Sequence, residues 1–112
     1  RAHGGQHGLR DPGLLESALA RPRHAWVYRE QELDLPALAA EYAFGLIKNH
    51  PFLDGNKRIG FVAANVFLML NGLEIEVYEP GAVDAVLRVA DGGLDKDGLA
   101  AWIRSSAQKF EG

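Results

Sequence analysis

At 112 residues, with 47% hydrophobic and 24% charged side chains, the chain suits a single domain with one core and lies far from a disordered composition. A net charge of −3 and a pI near 5.8 exclude the broad basic footprint of a general nucleic-acid binder. With no cysteine it can form neither a disulfide nor a thiolate metal site, a composition that fits the cytoplasm.

The first residues, RAHGGQHGLRD, are Gly-rich and loop-like, and no apolar signal-peptide core follows them. They begin at Arg1, not Met, and we expect an N-terminal element to precede this single domain, residues 1–112. Asp11 and Pro12 then offer an N-cap and a first helical residue. Leu14, Leu15, Ala18 and Leu19 form a short amphipathic helix expected to end near Pro22. Residues 23–34 have no helical face and read as a loop or small hairpin, with Trp26 and Tyr28 on one side.

Pro36 opens the next helix, which carries Ala39, Tyr42, Ala43, Leu46 and Ile47 at helical spacing. It must stop at His50, because the residue before a proline is disfavoured in the α region. After the loop PFLDG, a helix from about Asn56 to Leu70 closes on Asn71-Gly72. Its run from Ile59 to Leu70 is the longest apolar stretch, contains Asn65, and is too short to span a membrane. Being apolar all round, it is expected as the buried central helix. Residues 73–77 alternate but make at most an isolated edge strand. Val83, Val86, Leu87 and Ala90 give another amphipathic helix ended by Gly92-Gly93, and Leu99, Trp102, Ile103 and Ala107 the last. There are no repeats, low-complexity tracts or linkers, and the fold class is all-α.

The segment from His50 to Arg58, HPFLDGNKR, concentrates the chemistry. Lys57 and Arg58 fall in the first turn of the helix, where the dipole is positive and each cation costs about 0.3–1 kcal/mol. The first amides of that helix also lack partners and favour an anion. Two cations beside an open nest of amides are best explained by a negative ligand, and phosphate is the natural candidate. Gly55 lets the backbone take a positive φ and approach that ligand. Asn56 can cap the helix and donate to a phosphate oxygen. Asp54 is a hard oxygen donor suited to Mg²⁺, which is usually held by one or two carboxylates plus substrate phosphates. His50 can accept a proton from an attacking hydroxyl near neutral pH.

Singly, each residue has an ordinary reading: a helix-end histidine, turn chemistry at Asp54-Gly55-Asn56, solvated charges at Lys57 and Arg58. Phe52 keeps its ordinary reading as an anchor of the loop in the core. Base, metal ligand, nest and cations within nine residues are together far harder to produce by chance.

HPFLDGNKR resembles the Fic motif, H-P-F-x-D/E-G-N-G-R-x-x-R in AMP-transferring members of the Fic/Doc family. The upstream runs GGQHGLRDPGLLESALARP and YAFGLIKNHPFLDGNKR, and the following VFLMLNG, are similar to death-on-curing proteins, so the likeness covers roughly residues 4–72. The resemblance implies a helical Fic fold with at most a small flap, placed at residues 24–32, that aligns a target segment. It also implies ATP and Mg²⁺ as cofactors, His50 as base, Asp54 as metal ligand, and Gly55, Asn56, Lys57 and Arg58 around the phosphates. Two departures matter. Lys57 replaces a Gly whose backbone seats the diphosphate, and Phe61 replaces the second Arg, which holds the γ-phosphate. The death-on-curing branch shares the Lys, though it often has Ala at the position of Gly55. That branch implies an inverted nucleotide pose, phosphorylation of a protein threonine with elongation factor Tu as the type of target, and restraint by an antitoxin. An AMP transferase and a catalytically silent binding module are the alternatives. Arg10, Arg21 and Arg23 read as solvated surface residues, with a frame for the active-site mouth as the alternative, and His3, His7 and His24 read as surface residues.

Overall fold

Three helices start where aspartates stand ready to cap them. In the computed structural model, which describes residues 8–28, 33–76 and 79–111, the Asp11 carboxylate accepts from the amides of Gly13 and Leu14, and α1 runs Pro12–Val27. Asp34 accepts from Ala37 at the head of α2, Leu35–Asn49. Further on come α3 (Asn56–Leu70), β1 (Leu73–Ile75), α4 (Glu79–Asp91), α5 (Lys96–Ser106) and β2 (Ala107–Lys109), with Asp95 capping α5 at the Gly98 amide. The class is all-α, as expected, and no described helix is long and apolar enough to cross a membrane.

The first helix does not end at Pro22. Instead α1 continues through it to Val27, so residues 23–27 are helical, and the rest of the expected hairpin at 29–32 lies outside the described residues. A proline inside a helix costs roughly 3 kcal/mol because it cannot donate to the carbonyl four residues back. Here that carbonyl belongs to Ala18, where α2 passes closest: a methyl group on Gly45 would lie 3.2 Å from Ala18 O and 2.6 Å from Arg21 Cδ. Ala18 and Pro22 are both buried. Arg21, one residue before the proline, reaches the buried Glu41 of α2 at 3.4 Å and lies over the Phe44 ring. Tertiary contact overrides the local break.

Burial also moves the centre of the fold from α3 to α2. Helix α2 packs against the other four described helices, and Ala39, Ala40, Ala43, Gly45, Leu46 and Ile47 are all buried. In α3 only the strip Asn56, Gly60, Ala64 and Leu68 is buried, while Val62, Val66 and Leu70 face outward. The short side chains of α2 let its neighbours approach on several sides. An apolar surround therefore did not mean a buried one, since much protein surface is apolar. The stripe of α4 is likewise rotated: Ala82, Ala85 and Val89 are buried, and Val83 and Leu87 remain half exposed.

Strand β1 has a partner that local pattern did not reveal. It pairs antiparallel with β2, Leu73 opposite Lys109 and Ile75 opposite Ala107, so Ala107 belongs to a strand and not to the last helix. The Ile75 amide donates to Asn65 Oδ1 of α3 at 2.9 Å, which ties the small sheet to the layer that carries the loop.

At the close crossing of α2 and α3, a methyl group on Gly60 would lie 2.8 Å from Ile47 Cγ1 and 3.1 Å from Ala43 O. Overpacking costs roughly 1–3 kcal/mol, against the ~1 kcal/mol that Ala gains over Gly in a helix. Gly60→Ala is expected to lower the melting temperature by about 4–8 °C per net kcal/mol, read by circular dichroism; an unchanged or raised value would show that α3 can shift freely. A second expectation concerns acid. The Arg104 guanidinium donates two hydrogen bonds to Asp34 and holds its carboxyl below the usual 3.8. That contribution is present above the unfolded value and is lost as pH falls through the folded one. Both partners are about half exposed, so the effect is small. Arg104→Gln is expected to flatten the acid limb of the stability–pH curve and leave its neutral part nearly level.

Candidate active site

The loop between α2 and α3 begins with a backbone that a histidine rarely adopts. Helix α2 stops at Asn49, and His50 caps it in the left-handed region, φ 55° and ψ 52°, with its amide donating to Leu46 O. Pro51 forbids continuation of the helix, but a left-handed non-glycine residue costs roughly 1–3 kcal/mol unless its surroundings impose it. They do. Arg10 Nε donates to His50 O at 2.7 Å and Arg10 Nη2 to Asn49 O at 3.0 Å, so a cation closes the negative end of α2. The amides of Arg10 and Asp11 both donate to Pro51 O, Leu53 N donates to Gly8 O, and Leu9 bridges Phe52. Residues 8–11 thus form a strap across the loop. Arg10, read from the sequence as a solvated surface residue, is its main cation, and nothing in local spacing could reveal partners some 40 positions away.

Within the loop Asn56 has a different place from the one expected. Gly55, φ 81°, occupies the N-cap position of α3 and no side chain caps the helix there; Asn56 is its first residue. The Asn56 side chain turns back and is buried. Its Oδ1 accepts from Phe52 N at 2.9 Å, and its Nδ2 donates to Phe52 O at 2.9 Å and meets His50 Nδ1 at 3.1 Å. Both Nδ2 hydrogens are therefore engaged inside the loop, and an anion at the helix end would meet the Asn56 backbone amide instead. The backbone ladder of α3 starts with Ile59 N donating to Gly55 O, so the amides of Asn56, Lys57 and Arg58 precede it.

Between this helix end and α4 lies a cleft of about 450 Å³. Asp54, Gly55, Asn56, Lys57 and Arg58, with Phe61 further along α3, line one side; Ala82, Val83, Val86 and Leu87 of α4 line the other. The half-exposed Val83 and Leu87, expected in the core, are accounted for as cleft wall. Lys57 and Arg58 are exposed, and neither has a carboxylate within ion-pair distance among the described residues. Asp54 is exposed on the cleft, with Oδ1 accepting from the Gly55 amide at 2.9 Å. Among the described residues no group of three acidic or histidine side chains could hold a metal unaided. The donor set fits a divalent cation that arrives with a phosphate and takes a single carboxylate from the protein, the ordinary habit of Mg²⁺. His50 is exposed and is not a lining residue; its Asn56 hydrogen bond joins it to the wall.

Other candidates separate from this centre. Arg21 is committed to Glu41, and His24 on α1 stacks at a tilt on Tyr28. His3 and His7 lie outside the described residues.

Residues 1–68 match the model of the Fic/DOC family. The chain belongs to that family. Over 105 residues it is 39% identical to "Toxin Doc" of Mycolicibacterium smegmatis (strain ATCC 700084 / mc(2)155), an alignment covering 89% of this chain and 78% of the relative. Over 102 residues it is 30% identical to "Protein kinase doc" of Escherichia phage P1, covering 91% and 79%.

For this Fic/DOC chain the first amides of α3, and two cations with no carboxylate in reach among the described residues, make a direct expectation. Titration with inorganic phosphate should shift the backbone amide resonances of Asn56, Lys57 and Arg58 in a ¹H–¹⁵N spectrum. The Lys57→Ala/Arg58→Ala variant should lose most of the response. Uniform small shifts over the whole chain would mean that the two cations merely point into solvent.

Proposed function

We propose that this chain is a Doc-like toxin enzyme that transfers the γ-phosphoryl group of ATP to a hydroxyl of a target protein. The observation that carries the reading is the single cleft wall bearing Asp54, the open amides of α3, Lys57 and Arg58. It offers a triphosphate a cation, N–H donors and a metal-binding carboxylate together. The names of its relatives, a toxin and a protein kinase, support the same class. Phe61 favours phosphoryl over AMP transfer: where AMP-transferring Fic motifs have an arginine for the γ-phosphate, this cleft has an aromatic ring facing an apolar wall.

In this reading the target hydroxyl oxygen attacks the γ-phosphorus. The bond to the β,γ-bridging oxygen breaks, and its electron pair leaves with the nucleoside diphosphate. His50 receives the hydroxyl proton. Lys57, Arg58 and the helix amides balance charge on the phosphoryl oxygens. Mg²⁺ at Asp54 would add neutralisation of the phosphates. By resemblance the target class is a translation factor such as elongation factor Tu, and an antitoxin restrains the enzyme.

The test is incubation of the chain with cell lysate and ATP labelled in turn at the α and γ positions. Label from the γ position alone is expected on protein; label from the α position would make it an AMP transferase instead. Removing a positioned base costs about 10²–10⁴-fold in rate, so His50→Ala should drop transfer by that much while nucleotide binding is kept. Asp54→Ala should lose both the metal dependence and the transfer.

A further inference from the structure

We infer that Asn56 decides which nitrogen of His50 carries the proton, and that in the free protein this proton sits on Nε2. The Asn56 amide has one orientation open to it. Its Oδ1 accepts from the Phe52 amide and its Nδ2 donates to the Phe52 carbonyl, both at 2.9 Å. Turning the amide over would set oxygen against oxygen and N–H against N–H. The second Nδ2 hydrogen is then left for His50 Nδ1, 3.1 Å away. A ring nitrogen that receives a hydrogen bond must present its lone pair, so the neutral imidazole keeps Nδ1 bare and Nε2 protonated. Asn56 is 4% exposed, so water has little access to replace it as the partner.

The consequence rests on the reading of His50 as the acceptor of the hydroxyl proton. A base must offer a lone pair to the hydroxyl. In the resting tautomer the ring's one free lone pair, on Nδ1, is held by Asn56, and Nε2 offers an N–H. His50 of the free protein is thus suited to donate to an incoming phosphate oxygen. It can accept a proton at Nε2 only after tautomer exchange: Nε2 releases one proton to solvent, Nδ1 takes one up, and the ring stays neutral. That exchange breaks the bond to Asn56, because a protonated Nδ1 would face an N–H. The bare Nε2 then receives the hydroxyl proton and the ring leaves the step as imidazolium. Asn56 is therefore a positioning residue that acts through His50. Its side chain restrains the base until a ligand competes for Nδ2.

Long-range ¹H–¹⁵N correlation of the ¹⁵N-labelled chain without nucleotide, at about pH 8 where an ordinary imidazole is neutral, reads this directly. The His50 signals are those missing from His50→Ala. The expected pattern is a bare, downfield Nδ1 and a protonated, upfield Nε2. Asn56→Asp keeps an oxygen for the Phe52 amide but puts an acceptor before Nδ1, and should exchange the two shifts. A bare Nε2 in the unaltered chain, or an even mixture of tautomers, overturns the inference. So does a folded Asn56→Asp chain with the original pattern. If that variant does not fold, the spectrum of the unaltered chain decides alone. No nucleotide is present, so failure of γ-label transfer would sink the kinase reading and leave this result standing. The reverse tautomer would leave the kinase reading untouched.

Discussion

The reversal between α2 and α3 is made in six residues, His50 to Gly55, and the buried Asn56 amide is what closes it. The two helices cross closely enough that Gly60 has no room for a methyl group. The connection must therefore turn sharply, with His50 and Gly55 both at positive φ. A short loop with two left-handed residues is costly to order, and few of its backbone groups can reach a helix. Asn56 takes both the amide and the carbonyl of Phe52 from within the fold, and the 8–11 strap takes the carbonyls of His50 and Pro51 from without. The loop's conformation is held by polar groups satisfied from both sides. With the backbone satisfied internally, the first turn of α3 and the side chains of Asp54, Lys57 and Arg58 are left to line the cleft.

A second constraint sits within α2. Glu41 is buried yet ionisable, and Arg21 of α1 and Lys96 of α5 reach it at 3.4 and 2.9 Å. Arg21 Nε makes no hydrogen bond by geometry among the described residues, so its contact with Glu41 is Coulombic. Such a cluster is weak evidence of net stabilisation, because desolvation offsets much of the attraction. What it specifies is register. One carboxylate with two cations from different helices fixes how α1 and α5 sit on α2, and the Arg104–Asp34 pair repeats this at the head of α2. The strap that begins α1 is carried to the loop by this same docking.

Much of this architecture was legible in the sequence where local chemistry decides it. The aspartate cap at position 11, the stop before Pro51 and the helix from Asn56 to Leu70 all follow from side chains acting on their own neighbours. The motif's candidate residues come together on one loop and helix start for the same reason: they are consecutive. What could not be read depends on partners distant in sequence. Pro22 lies inside a helix packed closely on α2 near Gly45, β1 pairs with residues more than thirty positions away, and Arg10 caps α2 from some forty positions upstream. The face of α4 was misjudged because Val83 and Leu87 satisfy the periodicity of a core while lining a cleft. Hydrophobic period tells which residues avoid water, not whether protein or ligand covers them.

The cleft brings these threads to one physical point. A helix N-terminus with Lys57 and Arg58 in its first turn opposes its own dipole, and no described carboxylate lies within ion-pair distance of either cation. A chain selected for stability alone would place acids there, as Asp97 stands in the first turn of α5. The protein thus carries an electrostatic deficit at one place, which an anion relieves at once through the amides, the dipole and both side chains. The apolar wall opposite adds surface that a bare phosphate cannot cover. Together they suit an anion joined to an apolar or aromatic body better than an inorganic ion, in keeping with the nucleotide proposed above.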